Sequence, residues 1–309
     1  AFGGAMQVDG RVGPLNLNAV SCDMSERILV TGATGTVGSE LVRLLAQAGA
    51  EVKAGTRRPA HAAALADSSV EVVELDYRQP ATFDAAVEWA DRVFLQPPPF
   101  DPDAHETLVP LLDWAVQART GHVVTLSAMG MELRDDLPIR RLERHIEASG
   151  VDYTFLRPNF FMQNFGRGFL GERIRTSGSF AMPVADARVS VVDGRDVAAV
   201  AAACLTADGH AGRAYTLTGP EALTHSEIAD LIGSAVGKPV GFETVSDEDM
   251  LGWLTDAGWR GDVAGVVIAL YQSVRAGVRA DVTGDVEAVL GRAPKSFADF
   301  AREQAGSWS

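Results

Sequence analysis

Between Ile28 and Gly38 the chain reads Ile-Leu-Val-Thr-Gly-Ala-Thr-Gly-Thr-Val-Gly, with Gly32, Gly35 and Gly38 at three-residue spacing. Glycines at a strand-to-helix junction let the backbone turn tightly and approach a pyrophosphate, while the unpaired N–H groups of the helix's first turn meet negative charge. The run therefore reads as a dinucleotide cradle formed by Gly32, Thr34, Gly35, Thr36, Val37 and Gly38. A P-loop would need Gly-Lys-Ser/Thr after the turn, which is absent.

The proton chemistry that usually accompanies such a cradle is missing. In the usual short-chain reductase a tyrosine donates the proton and a lysine four residues later lowers its pKa, the spacing placing both on one helix face. Here the tyrosines are Tyr77, Tyr153, Tyr215 and Tyr271 and the lysines Lys53, Lys238 and Lys295, and no pair has that spacing. Ser127, at the end of a strand-like run, could bond a substrate carbonyl or merely cap the strand. Tyr271, alone in the distal helical text, is the best alternative proton donor. Hydride transfer needs donor and acceptor carbons in near-contact, so an activated acceptor such as a quinone or iminium could take its proton from water.

Around the cradle, Gly55-Thr56-Arg57-Arg58-Pro59 closes the second strand without an acidic residue. Arg57 and Arg58 suit a 2′-phosphate, so NADP(H) is preferred and NAD(H) remains admissible. Asp76 after the third strand could meet the adenine or cap a turn. Gln96 and Pro97 after the fourth would hold a stiff loop over the adenosine.

A flat apolar pocket is expected from Phe160, Phe161 and Phe165, with Gln163 or Asn164 orienting a polar group, Met129 below and Trp253 opposite. His145 reads as a solvated helix residue, and Asp193 or Asp196 as an N-cap. The six histidines and two cysteines, Cys22 and Cys204, show no metal-ligand or disulfide spacing.

These groups need a scaffold, and the alternation supplies one. Strands at 27–31, 51–55, 70–75, 92–96, 123–127 and 152–156 alternate with helical runs at 39–48, 82–88, 105–118 and 139–149. That is an α/β, doubly wound parallel Rossmann sheet over 25–158. Residues 159–309 read as a smaller, mostly helical substrate-binding lobe, with helical segments at 225–236, 247–257 and 263–275. Within it, 189–220 returns to the Rossmann domain through strands at 189–192 and 214–218 and a helix at 197–206, and 285–300 forms a closing connection and short helix. Residues 1–24 read as an N-terminal extension, Met24-Ser25-Glu26-Arg27 looking like a natural start.

With 309 residues and 47% of them apolar, the chain can bury a large core. Its formal charge of −14 disfavours nucleic acid and anionic membrane, and no apolar run reaches the roughly 20 residues of a membrane span. A cytoplasmic setting is the default expectation.

The combination of Val30–Gly38, Gly55–Pro59, Ser149-Gly-Val-Asp-Tyr-Thr-Phe-Leu-Arg-Pro158, Asp193–Ala198 and Tyr215–Pro220 resembles the NmrA-like branch of the atypical short-chain dehydrogenases/reductases, over about residues 25–305. The resemblance implies a Rossmann domain with a C-terminal lobe, NADP(H), and an aromatic or quinone-like small molecule as partner; family habit admits a homodimer. It places the usual tyrosine and lysine near Asp135 and Ile139. The activity it implies is NADP(H)-dependent reduction of a quinone-like, conjugated or polycyclic aromatic compound. A nonenzymatic NADP(H)-sensing regulator and a cofactor-assisted, oxygen-dependent tailoring of an aromatic polyketide are the alternatives.

Overall fold

Ile28, Leu29 and Val30 are all fully buried, so strand β1 (Arg27–Val30) is covered on both faces, as in a sheet sandwiched between helices. The computed structural model describes residues 26–166 and 168–308. The expected N-terminal extension and Cys22 lie outside them.

In chain order, β1 is followed by α1 (Thr36–Gln47), β2 (Glu51–Thr56), β3 (Val70–Glu74), α2 (Phe83–Val87), β4 (Arg92–Leu95), α3 (Ala104–Gln117), β5 (His122–Leu126), α4 (Pro138–Ser149) and β6 (Asp152–Pro158). Then come α5 (Gln163–Gly166), α6 (Gly168–Ser177), β7 (Ser179–Met182), β8 (Arg188–Val189), α7 (Gly194–Thr206), β9 (Arg213–Leu217) and β10 (Leu223–Thr224). The chain finishes with α8 (His225–Val236), β11 (Gly241–Thr244), α9 (Asp247–Asp256), α10 (Gly261–Arg275), α11 (Asp285–Leu290) and α12 (Phe297–Gln304).

The main sheet has the order β3-β2-β1-β4-β5-β6-β9 with every pair parallel. Ile28 is in register with Val52 on one side and Arg92 on the other, so the strand order reverses at β1 and β4. The carboxyl ends of those two strands form the crevice where open α/β sheets take ligands. On one face Val30 packs with Leu41 of α1, Val197 of α7 and Val286 of α11. On the other, Leu29 and Leu95 pack with Leu108 of α3 and Ile146 of α4.

The second lobe has its own core of Phe165, Phe180, Ile228, Phe297, Phe300 and Trp308, and the Trp308 indole donates to the Phe165 carbonyl at 2.7 Å. Helices α9 and α10 form a satellite around Met250, Leu254, Ala264 and Val267. The chain passes repeatedly between the two parts: α7, β9 and α11 belong to the Rossmann core, and the segments between and after them to the lobe.

The lobe is mostly helical, as expected, and also holds two short ladders, β7 with β11 in parallel and β8 with β10 antiparallel. Two expectations are corrected. The expected strand at 189–192 overlaps β8 only at Val189; beyond it Ser190 N–H donates to the Arg279 carbonyl and Val192 N–H to the Phe160 carbonyl, and only an isolated bridge from Phe161 to Val192 follows. The closing segment is two helices, α11 being ended by Gly291 in the left-handed region at φ +66°. Among the described residues no helix is long and apolar enough to cross a membrane.

Candidate functional site

The cradle is built by backbone. Gly32 has φ +61°, a conformation that favours glycine, and its carbonyl accepts from Gly35 N–H at 2.9 Å. A Cβ on Gly38 would overlap that same carbonyl, so α1 can start this close to β1 only with glycine there. Gly35 caps α1 without lending a side-chain oxygen, and the first turn carries no acidic residue, so its N–H groups stay available for an anion. Thr34 and Thr36 are exposed beside them, while Val37 is packed into the core.

Gln96 lies across the turn. Its backbone is held by Thr31 Oγ, which accepts from its N–H at 2.9 Å, and by Tyr77, whose hydroxyl donates to its carbonyl at 2.8 Å. Its side-chain amide sits 3.1–3.3 Å from where a Cβ of Gly32 would stand, and its Oε1 is buried with no hydrogen-bond partner. A buried acceptor without a partner beside an open helix N-terminus fits a dinucleotide, whose ribose hydroxyls can donate to the one and whose diphosphate can accept from the other. Pro97 beside it is buried.

Arg57 and Arg58 are both exposed at the end of β2, with no carboxylate in ion-pair range among the described residues. Most of the chain's other surface arginines are paired, Arg43 with Glu40 and Arg188 with Glu227 among them. Asp76 serves its own turn, accepting from Arg78 N–H at 3.0 Å and from the Gln79 amide at 2.9 Å. The Arg78 backbone bond above all holds its carboxyl below the usual range, outweighing a small opposing effect of burial.

At the reacting end, Ser127 is 7% exposed, and its hydroxyl donates to Glu143 Oε1 at 2.6 Å. Glu143, fully buried on α4, also takes two bonds from Arg157, at 3.0 and 2.9 Å, and one from Arg140 at 2.5 Å. Burial alone would raise its carboxyl pKa, but the hydrogen bonds from Arg157, Ser127 and Arg140 and the charge of Arg157 prevail and lower it. The group is therefore an ionised carboxylate that keeps Ser127 as a donor toward it. Asp135, near which the usual tyrosine would fall, is a surface partner of Arg140 and Arg144, and Ile139 is half-buried.

The expected pocket wall divides. Phe160 is half-buried and stacks on Tyr271 of α10 with centroids 6.5 Å apart. Burial pushes the Tyr271 hydroxyl up to about 12. Met129 lies at the foot of this wall, its N–H bonded to the Pro158 carbonyl and its carbonyl to the Arg279 guanidinium. Trp253 is half-buried on α9 under the Arg173 guanidinium, in the cluster that Tyr271 also joins. Phe100, after β4 and at φ +55°, meets Trp259, after α9, with centroids 6.1 Å apart.

Three expected residues do not line this cleft. Phe165 is 2% exposed in the core of the lobe, between Phe180 and Phe297. Phe161 bridges to Val192 and packs against the Rossmann core. Gln163 has its amide spent, donating to Asp193 at 2.7 Å and accepting from Gly194 N–H at 2.9 Å, which fastens the start of α7. Asn164 is exposed. Asp193 is the N-cap of α7, and Asp196 is instead bonded to Lys295 N–H and Arg292. His145 Nε2 donates to Asp113 Oδ1 at 2.8 Å at the surface.

Glu143, Arg157, Arg140 and Arg279 escape a sequence reading. Arg157-Pro158 at a strand end is a trace of the network, but Glu143 sits in a helix so charged that nothing marks it as its buried member. Among the described residues no cluster of three or more His, Cys, Asp or Glu could hold a metal.

Known proteins resemble this chain over nearly its whole length. A phosphate-ester reductase of Streptomyces griseus, (4-alkanoyl-5-oxo-2,5-dihydrofuran-3-yl)methyl phosphate reductase, is 37% identical over 288 residues, 91% of this chain and 99% of that protein. NAD(P)H azoreductase of Xenophilus azovorans is 35% identical over 285 residues, with the same coverage of 91% and 99%. The crystal structure of Citrobacter sp. triphenylmethane reductase complexed with NADP(H) superposes with a TM-score of 0.77 at 25% identity, covering 90% of this chain and 99% of that one. Residues 24–274 match the sequence pattern of the NmrA-like family, and with the glycine turn, the seven-stranded sheet and the appended lobe in place the chain belongs to that family.

Proposed function

We infer that this NADP(H)-binding oxidoreductase reduces a quinone-like, conjugated or polycyclic aromatic small molecule by direct hydride transfer. The observation that carries the reading is the pairing of a complete cradle with a reacting end whose serine is already committed to a carboxylate. When bound, the dinucleotide supplies the hydride. The chain's own part is to hold the diphosphate at the first turn of α1, to keep Arg57 and Arg58 for a 2′-phosphate, and to stack a planar acceptor against Phe160 and Tyr271.

Ser127 is a poor acid, because its proton is aimed at Glu143, which is ionised. Tyr271 has no hydrogen-bond partner among the described residues, so its hydroxyl is free to donate to a substrate oxygen. With its pKa near 12 it orients and polarises that oxygen while water completes the protonation. Acceptors that need little acid assistance fit such a site, and the relatives named for azo, dihydrofuran and triphenylmethane reduction act on conjugated molecules of this sort.

The test is NADPH oxidation by the purified protein with a panel of naphthoquinones, enones and azo compounds, followed by oxygen uptake. Many turnovers without oxygen support the reading. Tight NADPH binding with no turnover on any acceptor would leave a sensor, and turnover that stops without oxygen would leave the tailoring alternative.

A further inference from the structure

Arg279 is 8% exposed, yet no carboxylate lies within ion-pair distance of it among the described residues. Its Nε donates to Ser273 Oγ at 2.9 Å, and its Nη1 to the Met129 carbonyl; Nη2 finds no acceptor among those residues. The charges nearest to it are already compensated elsewhere. Glu132 is 3.1 Å from Arg157, and Arg134 is chelated by Asp136 at 3.0 and 2.9 Å. Burying a guanidinium among neutral partners is costly, and the other two buried arginines among the described residues, Arg140 and Arg157, have three and two carboxylates.

The position is as telling as the missing partner. Arg279 reaches from the segment after α10 to the loop after β5, with Nη1 4.0 Å from where a Cβ of Gly130 would stand. It therefore ties the segment that follows α10 to the loop beside Met129, holding Ser273 of α10 on the way. Val278 and Val282, 57% and 48% exposed, flank it in sequence as apolar surface. A cation in a stretch that also carries exposed apolar residues suits a molecule with a hydrophobic body and one anionic substituent. The net charge of −14 would otherwise repel such a substrate, so recognition must be local.

We propose that Arg279 is the anchor for an oxyanion substituent, a carboxylate, sulfonate or phosphate, carried by the conjugated substrate. The proposal rests on the reductase reading for the rest of the molecule. An oxyanion takes the two donors that Nη1 and Nη2 hold in reserve, a charge-assisted pair in a largely desolvated place.

Two naphthoquinones differing only at the end of a saturated side chain, 2-(2-sulfoethyl) and 2-(2-hydroxyethyl), test it with the NADPH-loaded protein. The ratio of their kcat/KM values, sulfonate over alcohol, is expected to exceed 10 in the wild type and to fall by at least about 30-fold in Arg279→Gln, with Arg279→Lys between. A ratio that the substitution leaves unchanged overturns the proposal, since a merely structural arginine would lower both values together. Binding of the sulfonate, followed by tryptophan fluorescence, separates the two readings. Arg279-dependent binding without turnover sustains the anchor and sinks the reductase. Turnover of both quinones with no preference does the reverse, and no binding of the sulfonate to wild type overturns the anchor outright. Thermal melts of both variants identify any loss of fold, and in that event the wild-type ratio, which must exceed 10, decides.

Discussion

One end of the sheet's crevice is built from backbone, and the other from buried side-chain charge. The turn between β1 and α1 contributes N–H groups and closeness of approach, and its side chains, Thr34 and Thr36, stand aside in solvent. Beyond β5 the chain instead sinks a glutamate between two arginines and ties a serine to it. A backbone site is the same for any sequence that can make the turn, and so it serves a constant ligand. A side-chain network can be altered residue by residue, which suits a substrate that changes among relatives.

The contrast can be broken at four points. Gly38→Val drives two methyl groups and a Cβ into the Gly32 carbonyl, and NADPH affinity by fluorescence titration should fall by more than about 100-fold, with stability lowered by roughly 2–4 kcal/mol. Unchanged affinity would mean that the turn is not the cradle.

Glu143→Gln is next, and it tests the charged end. It leaves Arg157 and Arg140 without their shared carboxylate and should cost about 3–5 kcal/mol in denaturant unfolding, whereas Arg302→Ala at an exposed pair should cost under about 0.5 kcal/mol. The folded-state pKa of Glu143 is lowered, so its contribution is complete above the unfolded value of about 4.3 and disappears as pH falls through the folded value. The gap between wild type and variant should therefore narrow below about pH 4, and a gap that widens there would contradict an ionised Glu143.

A smaller effect is expected from Arg57→Ala and Arg58→Ala. Each should weaken NADPH about 10-fold while leaving NADH within about twofold, since a partly solvated phosphate contact contributes on the order of 1.4 kcal/mol. Equal losses for both cofactors would assign the arginines to the adenine. The smallest belongs to Tyr271→Phe, where kcat should drop about three- to tenfold with the pH profile preserved up to pH 9, a hydrogen bond being lost and not an obligate acid.

What could be read in advance follows the same division. The strands β1 to β6 are short apolar runs bounded by turns and alternate with helices, so their positions and the doubly wound parallel class were legible from local pattern, as was the glycine turn at its junction. Phe161, Gln163 and Phe165 were not, because seven adjacent residues after β6 serve three different neighbours: the Rossmann core, the start of α7 and the heart of the lobe. Composition cannot divide them. β7 and β11 were missed for a similar reason, since they are four residues each and pair across 62 positions, a contact that no local window contains. Glu143 and Arg279 look like ordinary surface charges until the fold buries them.

The weaving of the chain between its two parts has a thermodynamic consequence. Because α7, β9 and α11 return to the Rossmann core from excursions into the lobe, neither part is a continuous stretch of sequence, and neither can unravel while the other keeps all its pieces. Heat or denaturant should dissolve both in one sigmoidal transition. Hydrogen exchange should likewise report similar protection at Ile28 and at Ile228, although one belongs to the sheet and the other to the lobe.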